Sequence, residues 1–289
     1  MKPSARSNYL RTASLLSETD EMSKVEESAL SEITDNDTAT VTEEMIFPLP
    51  PSFDTIVEER EYRKQSLVDA LHIIGELRLA EGAAGHITVR DPEHTDRFWV
   101  NPFGMSFTVV EVEHLICVDH TGQIVHGNRP LNNAAFAIHG AIHAARPDVV
   151  AACHTHAMYS KSFSALGQPL AMITQDHCMF YNDVAMHSDG GGAIVTDLES
   201  GKKLAASLGD KKALLHQNHG IITTGESVDE AAWWFIALER ACQSQLVAQA
   251  AGELQIIPDE YAQYSYDQTG YSFAGWFQFQ LMKQEHGVG

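Results

Sequence analysis

Short β-type runs alternate with helical periods along most of the chain, turn residues punctuate them densely, and the composition is that of an ordinary globular protein. Together these predict one α/β or α+β domain in which helices cover a mixed sheet. Of 289 residues, 44% are hydrophobic and 20% charged, which excludes collagen-like, coiled-coil and wholly disordered chains. Lys+Arg 19 against Asp+Glu 39 gives a net charge of -20, the wrong sign for tracking nucleic acid or an anionic membrane. No apolar run is long enough to span a bilayer. The four cysteines form no CxxC pair, so neither a disulfide framework nor a thiolate zinc site is expected. A cytoplasmic protein is expected, although Lys2, Arg6 and Arg11 among serines weakly resemble a transit peptide.

Residues 1–54 read as a disordered acidic tail with a Pro-rich lead-in, Phe47-Pro48-Leu49-Pro50-Pro51, and residues 55–289 as the folded domain. From Val57 to Leu79, apolar residues at Val57, Leu67, Val68, Leu71, Ile74 and Leu77 fall near helical spacing. Gly82 and Gly85 stop that pattern. Ile87–Val89, Phe98–Val100 and Leu115–Val118 are then short strands, with His120-Thr121-Gly122 turning into Gln123-Ile124-Val125. Asn132 to Ala145 reads as a helix stopped before Pro147, and Val149 to His154 as a strand. Further on come a helix around Asp197–Leu208, strands at Ala213–His216 and Ile221–Thr224, and a tight Asn218-His219-Gly220 corner between them. Ser227-Val228-Asp229-Glu230 is a capping box that opens a long helix running to about Gln249.

Histidine, 15 in all, carries the chemistry. In His154-Thr155-His156 the i, i+2 spacing at a strand end puts both imidazoles on one face, where they can share an ion. His219, at a corner where Gly220 lets the backbone approach, is a third candidate ligand. Three histidines leave coordination positions open for water or substrate, the pattern of a catalytic metal. His139 and His143, spaced i, i+4, share a helix face and read more readily as a packing pair than as pocket lining. Arg90 and Arg146 are candidates for gripping a carboxylate, or for ordinary salt bridges. Trp233-Trp234-Phe235 reads as core, and the aromatic Gly275–Phe279 stretch as a segment that packs on a neighbouring subunit or closes the site.

Gly85-His86-Ile87-Thr88-Val89-Arg90, Arg146-Pro147-Asp148-Val149 running into the HxH, and Gln217-Asn218-His219-Gly220 through Gly225-Glu226-Ser227-Val228 resemble the class II aldolase/adducin superfamily over roughly residues 60–255. The resemblance implies a three-layer α/β/α fold, a homotetramer with sites at subunit interfaces, and a divalent metal, zinc before iron(II), on His154, His156 and His219. It also shows departures. Where family aldolases carry a catalytic Glu, this chain has Ala135, which cannot move a proton. The phosphate pocket corresponds to His86, Phe103-Gly104 and Asn133-Ala134, where hydroxyl donors are missing, so a sugar phosphate is not expected.

Candidate catalytic residues are therefore His86 and Asp176, with His177 as a possible fourth ligand. Arg90, Gly104 and Asn133 are candidate substrate contacts. The leading expectation is a metal-dependent lyase that breaks a C–C bond of a small carbonyl or 2-oxo acid substrate, with the ion as Lewis acid. The alternatives are a non-haem iron oxygenase of secondary metabolism, and a non-catalytic adducin-like assembly module.

Overall fold

The computed structural model describes residues 48–288; the acidic tail and the transit-like start lie outside them. The described residues from Leu49 onward form one compact unit. Residues 48–53 of the Pro-rich lead-in have no regular secondary structure.

Eight strands form one mixed sheet: β1 (His86–Arg90), β2 (Arg97–Val100), β3 (Ile116–Asp119), β4 (Ile124–His126), β5 (Ala151–Thr155), β6 (Val184–His187), β7 (Ala213–His216) and β8 (Gly220–Gly225). Their spatial order is β4-β3-β2-β1-β5-β8-β7-β6. Every neighbouring pair is antiparallel except β6 and β7. Helices α1 (Ile56–Glu76), α5 (Val228–Ala251) and α7 (Ser272–His286) are joined by α3 (Met158–Ser164) and α6 (Asp259–Thr269). The other two are α2, over residues 133–145, and α4 (Leu198–Leu208).

Strand alternation sorts the side chains into two layers. Ile87, Val89, Ala151, Cys153, Ala213, Leu215 and Ile221 pack into the core beneath α1 and α5. The opposite face carries Leu214 and Ile222 against α2 and α4. His86, Thr88, Arg90 and His154, being out of phase with the first set, fall on that second face. The three-layer expectation therefore holds, and the layer between the sheet and α2 is where the histidines gather.

Helix α1 begins as its sequence dictates. Thr55 accepts the Glu58 N–H and the Glu58 carboxylate returns to the Thr55 N–H, a reciprocal capping box. Residues Leu67, Val68, Ala70, Leu71, Ile73 and Ile74 are all buried, so the helix is enclosed nearly all round in its second half. Lys283 of α7 holds Asp69 of α1 at 3.3 Å and Asp229 of α5 at 2.8 Å, tying three helices together.

The box predicted at α5 is half right. Ser227 accepts the Glu230 N–H, but the Glu230 carboxylate takes the Glu226 N–H and the Trp234 indole instead of the Ser227 N–H. Trp234 and Phe235 are core, as expected. The aromatic C-terminal stretch is a helix that packs within its own chain: Trp276 and Phe279 are buried, and an added Cβ on Gly275 would stand 2.7 Å from the Trp234 ring. All four cysteines are buried and unbridged.

Helix α2 is irregular. Asn133–Ala135 is α-helical, Phe136–Gly140 a π turn and Ala141–Ala145 α-helical again. Against the π turn, α4 approaches so closely that a Cβ on Gly201 would sit 2.0 Å from the Ala137 carbonyl oxygen. Gly201→Ala is expected to destabilise by about 2 kcal/mol through overpacking, visible as a lowered urea midpoint.

Candidate metal centre and its histidine layer

His154 lies on the central strand β5, and His156 follows it by two residues at the strand end. His219 sits on the corner joining β7 to β8, where Asn218 adopts φ 60. Gly220 is needed there: a Cβ would meet the Thr155 carbonyl at 2.9 Å, so only glycine lets β8 reach β5. One ring nitrogen from each of the three histidines lies within 4.8 Å of the others.

The donor chemistry fits a cation. His154 Nδ1 lies 2.8 Å from the Ile221 carbonyl, which only an N–H can satisfy, so its Nε2 is bare. His219 Nδ1 faces the Gly192 carbonyl at 3.4 Å, leaving its Nε2 for the site, 3.0 Å from His156 Nε2. Burial and the neighbouring imidazoles hold His154 well below the usual histidine range; burial, then His219, brings His156 down to about 4. Burial lowers His219 as well, so all three rings favour the neutral form, the one that ligates. A second row lies behind them: His216 stacks on His219 with centroids 4.5 Å apart, and His187 pairs with His216 across the parallel strands. The sequence reading had singled out neither.

His86 pairs in register with His154, and the two rings lie 5.0 Å apart. Its Nδ1 is 2.7 Å from His139 Nε2. His139 Nδ1 lies 2.6 Å from Thr88 Oγ1, which also meets His143 Nε2 at 3.0 Å. The helix-face histidines are therefore a hydrogen-bonded packing pair, as expected, but they also reach the candidate metal centre through His86.

Ala135 is fully buried among Phe98, Val100, Ile116 and Val118. Among the described residues, no carboxylate joins the three-histidine group. Asp176 is exposed on a 3₁₀ turn, Asp176–Phe180, and His177 is buried with Nδ1 on Thr174 Oγ1 at 2.7 Å; both lie outside the group.

Arg90 is not placed as a substrate clamp. Its guanidinium is buried and donates to the carbonyls of Val149, Thr95, His143 and Arg146 at 3.1, 2.6, 2.8 and 3.0 Å. Arg146 grips Asp148 instead of a ligand. Gly104, at φ 84, lines a cavity of about 250 Å³ with Ala80, Gly82, Ala83, Met105, Ser106 and Phe107, Ser106 being its one hydroxyl-bearing residue. A smaller adjoining hollow reaches Gly85, next to His86, and is bordered by Asn132; Asn133 is exposed, and Asn132 caps α2 by accepting the Ala134 N–H.

Burial, with the Arg90 cation adding to it, depresses His143 to about 3. Unfolded, the same ring binds a proton near pH 6.5, so the stability held above that pH is lost as pH falls from 6.5 toward 3. The stability advantage of the natural chain over His143→Gln is expected to shrink by on the order of 2 kcal/mol across that window, measured by urea unfolding.

A mixed sheet with three convergent histidines at its strand ends defines an α/β protein with a candidate open metal centre. The chain belongs to the class II aldolase and adducin N-terminal domain family, which matches residues 65–246. It is 42% identical over 240 residues to decarboxylase NovR of Streptomyces niveus, covering 82% of this chain and 88% of that one. It is also 42% identical over 240 residues to the 4-hydroxy-3-prenylphenylpyruvate oxygenase/4-hydroxy-3-prenylbenzoate synthase of Streptomyces roseochromogenus subsp. oscitans, covering 82% and 86%. Among solved structures, L-fuculose 1-phosphate aldolase from Glaciozyma antarctica PI12 superposes with a TM-score of 0.77 at 42% identity, over 83% of this chain and 95% of that one. The fold is that of the class II aldolases. No helix among the described residues is long and apolar enough to cross a membrane.

Proposed function

We propose that this protein is a metal-dependent enzyme that breaks a carbon–carbon bond of a small 2-oxo acid. The observation that carries the reading is the intact three-histidine group, which no carboxylate joins among the described residues. When bound, a divalent ion, zinc in this reading, would supply Lewis-acid polarisation of the substrate carbonyl. His154 and His219 would hold it through Nε2, each oriented by a backbone carbonyl behind it, and His156 would complete the set. His86 is a buried polar side chain beside the group, with its ring 5.0 Å from that of His154, and is assigned to meet the substrate. Asp176, exposed on its turn, receives no role. The cavity at Gly104 would admit the remainder of the substrate. A sugar phosphate is disfavoured, since none of the described residues that line that cavity is basic.

A second reading is oxidative cleavage with iron(II) and dioxygen. It is favoured by the relative named an oxygenase, which acts by its name on an arylpyruvate. Both readings include a homotetramer with its sites near subunit boundaries, for which sedimentation velocity is the check.

Metal content per chain, measured on protein purified without added metal, and a panel of 2-oxo acids including arylpyruvates, assayed under argon and under air, test the proposal. Near-stoichiometric zinc with turnover under argon is the expected result. Turnover that requires iron and oxygen would transfer the assignment to the second reading. No metal and no turnover would leave a non-catalytic assembly module. In the active protein, His86→Ala is expected to lower kcat about 100-fold with the metal retained.

A further inference from the structure

We infer that Glu239 of α5 is a positioning residue for the metal centre: by capping α3 it holds His156 and His219 at the spacing an ion needs. The inference rests on the three-histidine group being a metal centre. It concerns how the ligands are kept in place and is independent of the reaction they serve.

His156 is the ligand with least behind it. His154 and His219 each have a backbone carbonyl facing Nδ1. The exposed His156 ring, among the described residues, has its hydrogen-bonding contact with His219 Nε2 alone, at 3.0 Å. Its placement therefore falls to the main chain. On one side Thr155, the last residue of β5, is paired with Ile221 of β8. On the other side α3 starts two residues on, at Met158.

That start has no cap of its own, because Ala157 at the N-cap position has no side-chain oxygen to offer the free N–H groups. They go to a residue some 80 positions away. Glu239 Oε1 accepts the Tyr159 N–H at 2.9 Å, and Oε2 accepts the Ser160 N–H at 2.7 Å. Glu239 is only 1% exposed, and these two N–H groups are what offset the burial of its carboxylate. Any shift of the first turn of α3 would strand that carboxylate without donors, so the helix start is held firmly.

The far end of α3 reaches the corner of the third ligand. The Ser164 carbonyl accepts the Asn218 N–H at 3.4 Å, one residue before His219. Gly167, just beyond, lies so close that an added Cβ would stand 3.1 Å from Gln217 Nε2. Phe163, fully buried, seats the helix on the core between these two ends. One seven-residue helix thus runs from His156 to the corner that carries His219, and Glu239 anchors it from α5. Loosening the anchor frees two of the three ligands while leaving His154 on its strand.

The test uses zinc, with Co(II) as its spectroscopic stand-in, on the full chain. Glu239→Gln keeps the size of the side chain but puts an NH₂ group where one acceptor stood. It is expected to weaken zinc binding roughly 10- to 100-fold, the range found when a partner behind a metal ligand is lost, and to change the visible absorption of bound Co(II). Gln245→Leu is the comparison, since it removes another α5 side chain that accepts a backbone N–H, that of Ala171 at 2.9 Å. It should lower stability with zinc affinity unchanged. Unchanged affinity and Co(II) absorption in Glu239→Gln would overturn the inference, as would an equal loss of affinity in Gln245→Leu at matched stability. If Glu239→Gln does not fold, the natural chain gives the answer, because coupling between sites is reciprocal. Zinc should then slow amide exchange across α3, Tyr159 and Ser160 included, more than across α6. Exchange in α3 that is indifferent to saturating zinc would overturn the inference. A natural chain that binds no zinc would remove the metal centre and the brace together. One whose zinc affinity depends on Glu239 but which turns over no 2-oxo acid would contradict the proposed function and leave the brace standing.

Discussion

Replacing His154 with alanine is expected to abolish stoichiometric metal binding and lower activity by well over ~100-fold, the upper end of what losing even an outer partner of a metal ligand costs. The fold should survive, because the ring contributes to a polar layer and the hydrophobic clusters on either side of the sheet do not depend on it. Metal analysis, circular dichroism and sedimentation of the variant check the three parts together. His177→Ala is the control: its ring lies outside the group, so metal content should be unchanged. Metal retained at full occupancy in His154→Ala would remove the assigned centre.

The second large effect is on stability. Arg90→Met is expected to destabilise by about 3 kcal/mol, because four carbonyls at the end of α2 and in the adjoining loops lose a charged donor in a buried setting. Arg90→Lys should recover little, since one ammonium cannot span the positions that a planar guanidinium reaches. Urea unfolding reads the stability, and KM for the 2-oxo acid separates this role from substrate binding. A structural clamp leaves KM nearly unchanged in whatever fraction folds, whereas a carboxylate receptor would raise KM with little loss of stability.

What was legible in the sequence follows from the physics of each segment. Strands β1, β2, β3, β4, β5, β7 and β8 announce themselves as short apolar, β-branched or aromatic runs between turn residues, and Ser227 marks a helix start by its side-chain oxygen. Strand β6 leaves little signal: it is a four-residue edge strand, and a Val184-Ala185-Met186 run that short reads equally as a helix segment or a loop. Helices α6 and α7 are rich in Tyr, Gln and Phe without a clear period, and their packing against α5 and the Asp176–Phe180 turn is a tertiary matter. The π turn in α2 leaves no local signal, because Phe136–Gly140 would serve equally in an α-helix.

The site divides along the same line. His154, His156 and His219 could be read from strand spacing and a glycine corner, because those signals are local. The partners of Arg90 could not be read: they lie as many as 59 positions away and are backbone carbonyls, which one residue type reveals no better than another. His187 and His216 were passed over for a similar reason, since each becomes part of the layer only when two strands far apart in sequence lie side by side.

The four buried cysteines give the molecule an internal clock for its own opening. Cys117 lies in β3, Cys153 in β5, Cys178 on the 3₁₀ turn and Cys242 in α5, so the four thiols sit on four different elements, three of them facing one shared core. Burial raises every one of their pKa values, so in the folded state they are both shielded and poorly ionised. A thiol reagent added to the native protein can therefore react only as fast as each region exposes its sulfur. If Cys153 and Cys242 are labelled at one shared slow rate while Cys178 is labelled sooner, the turn opens alone and the centre of the sheet opens only with the whole domain. Mass spectrometry of the modified peptides would resolve the four rates in a single experiment, with no probe introduced into the chain.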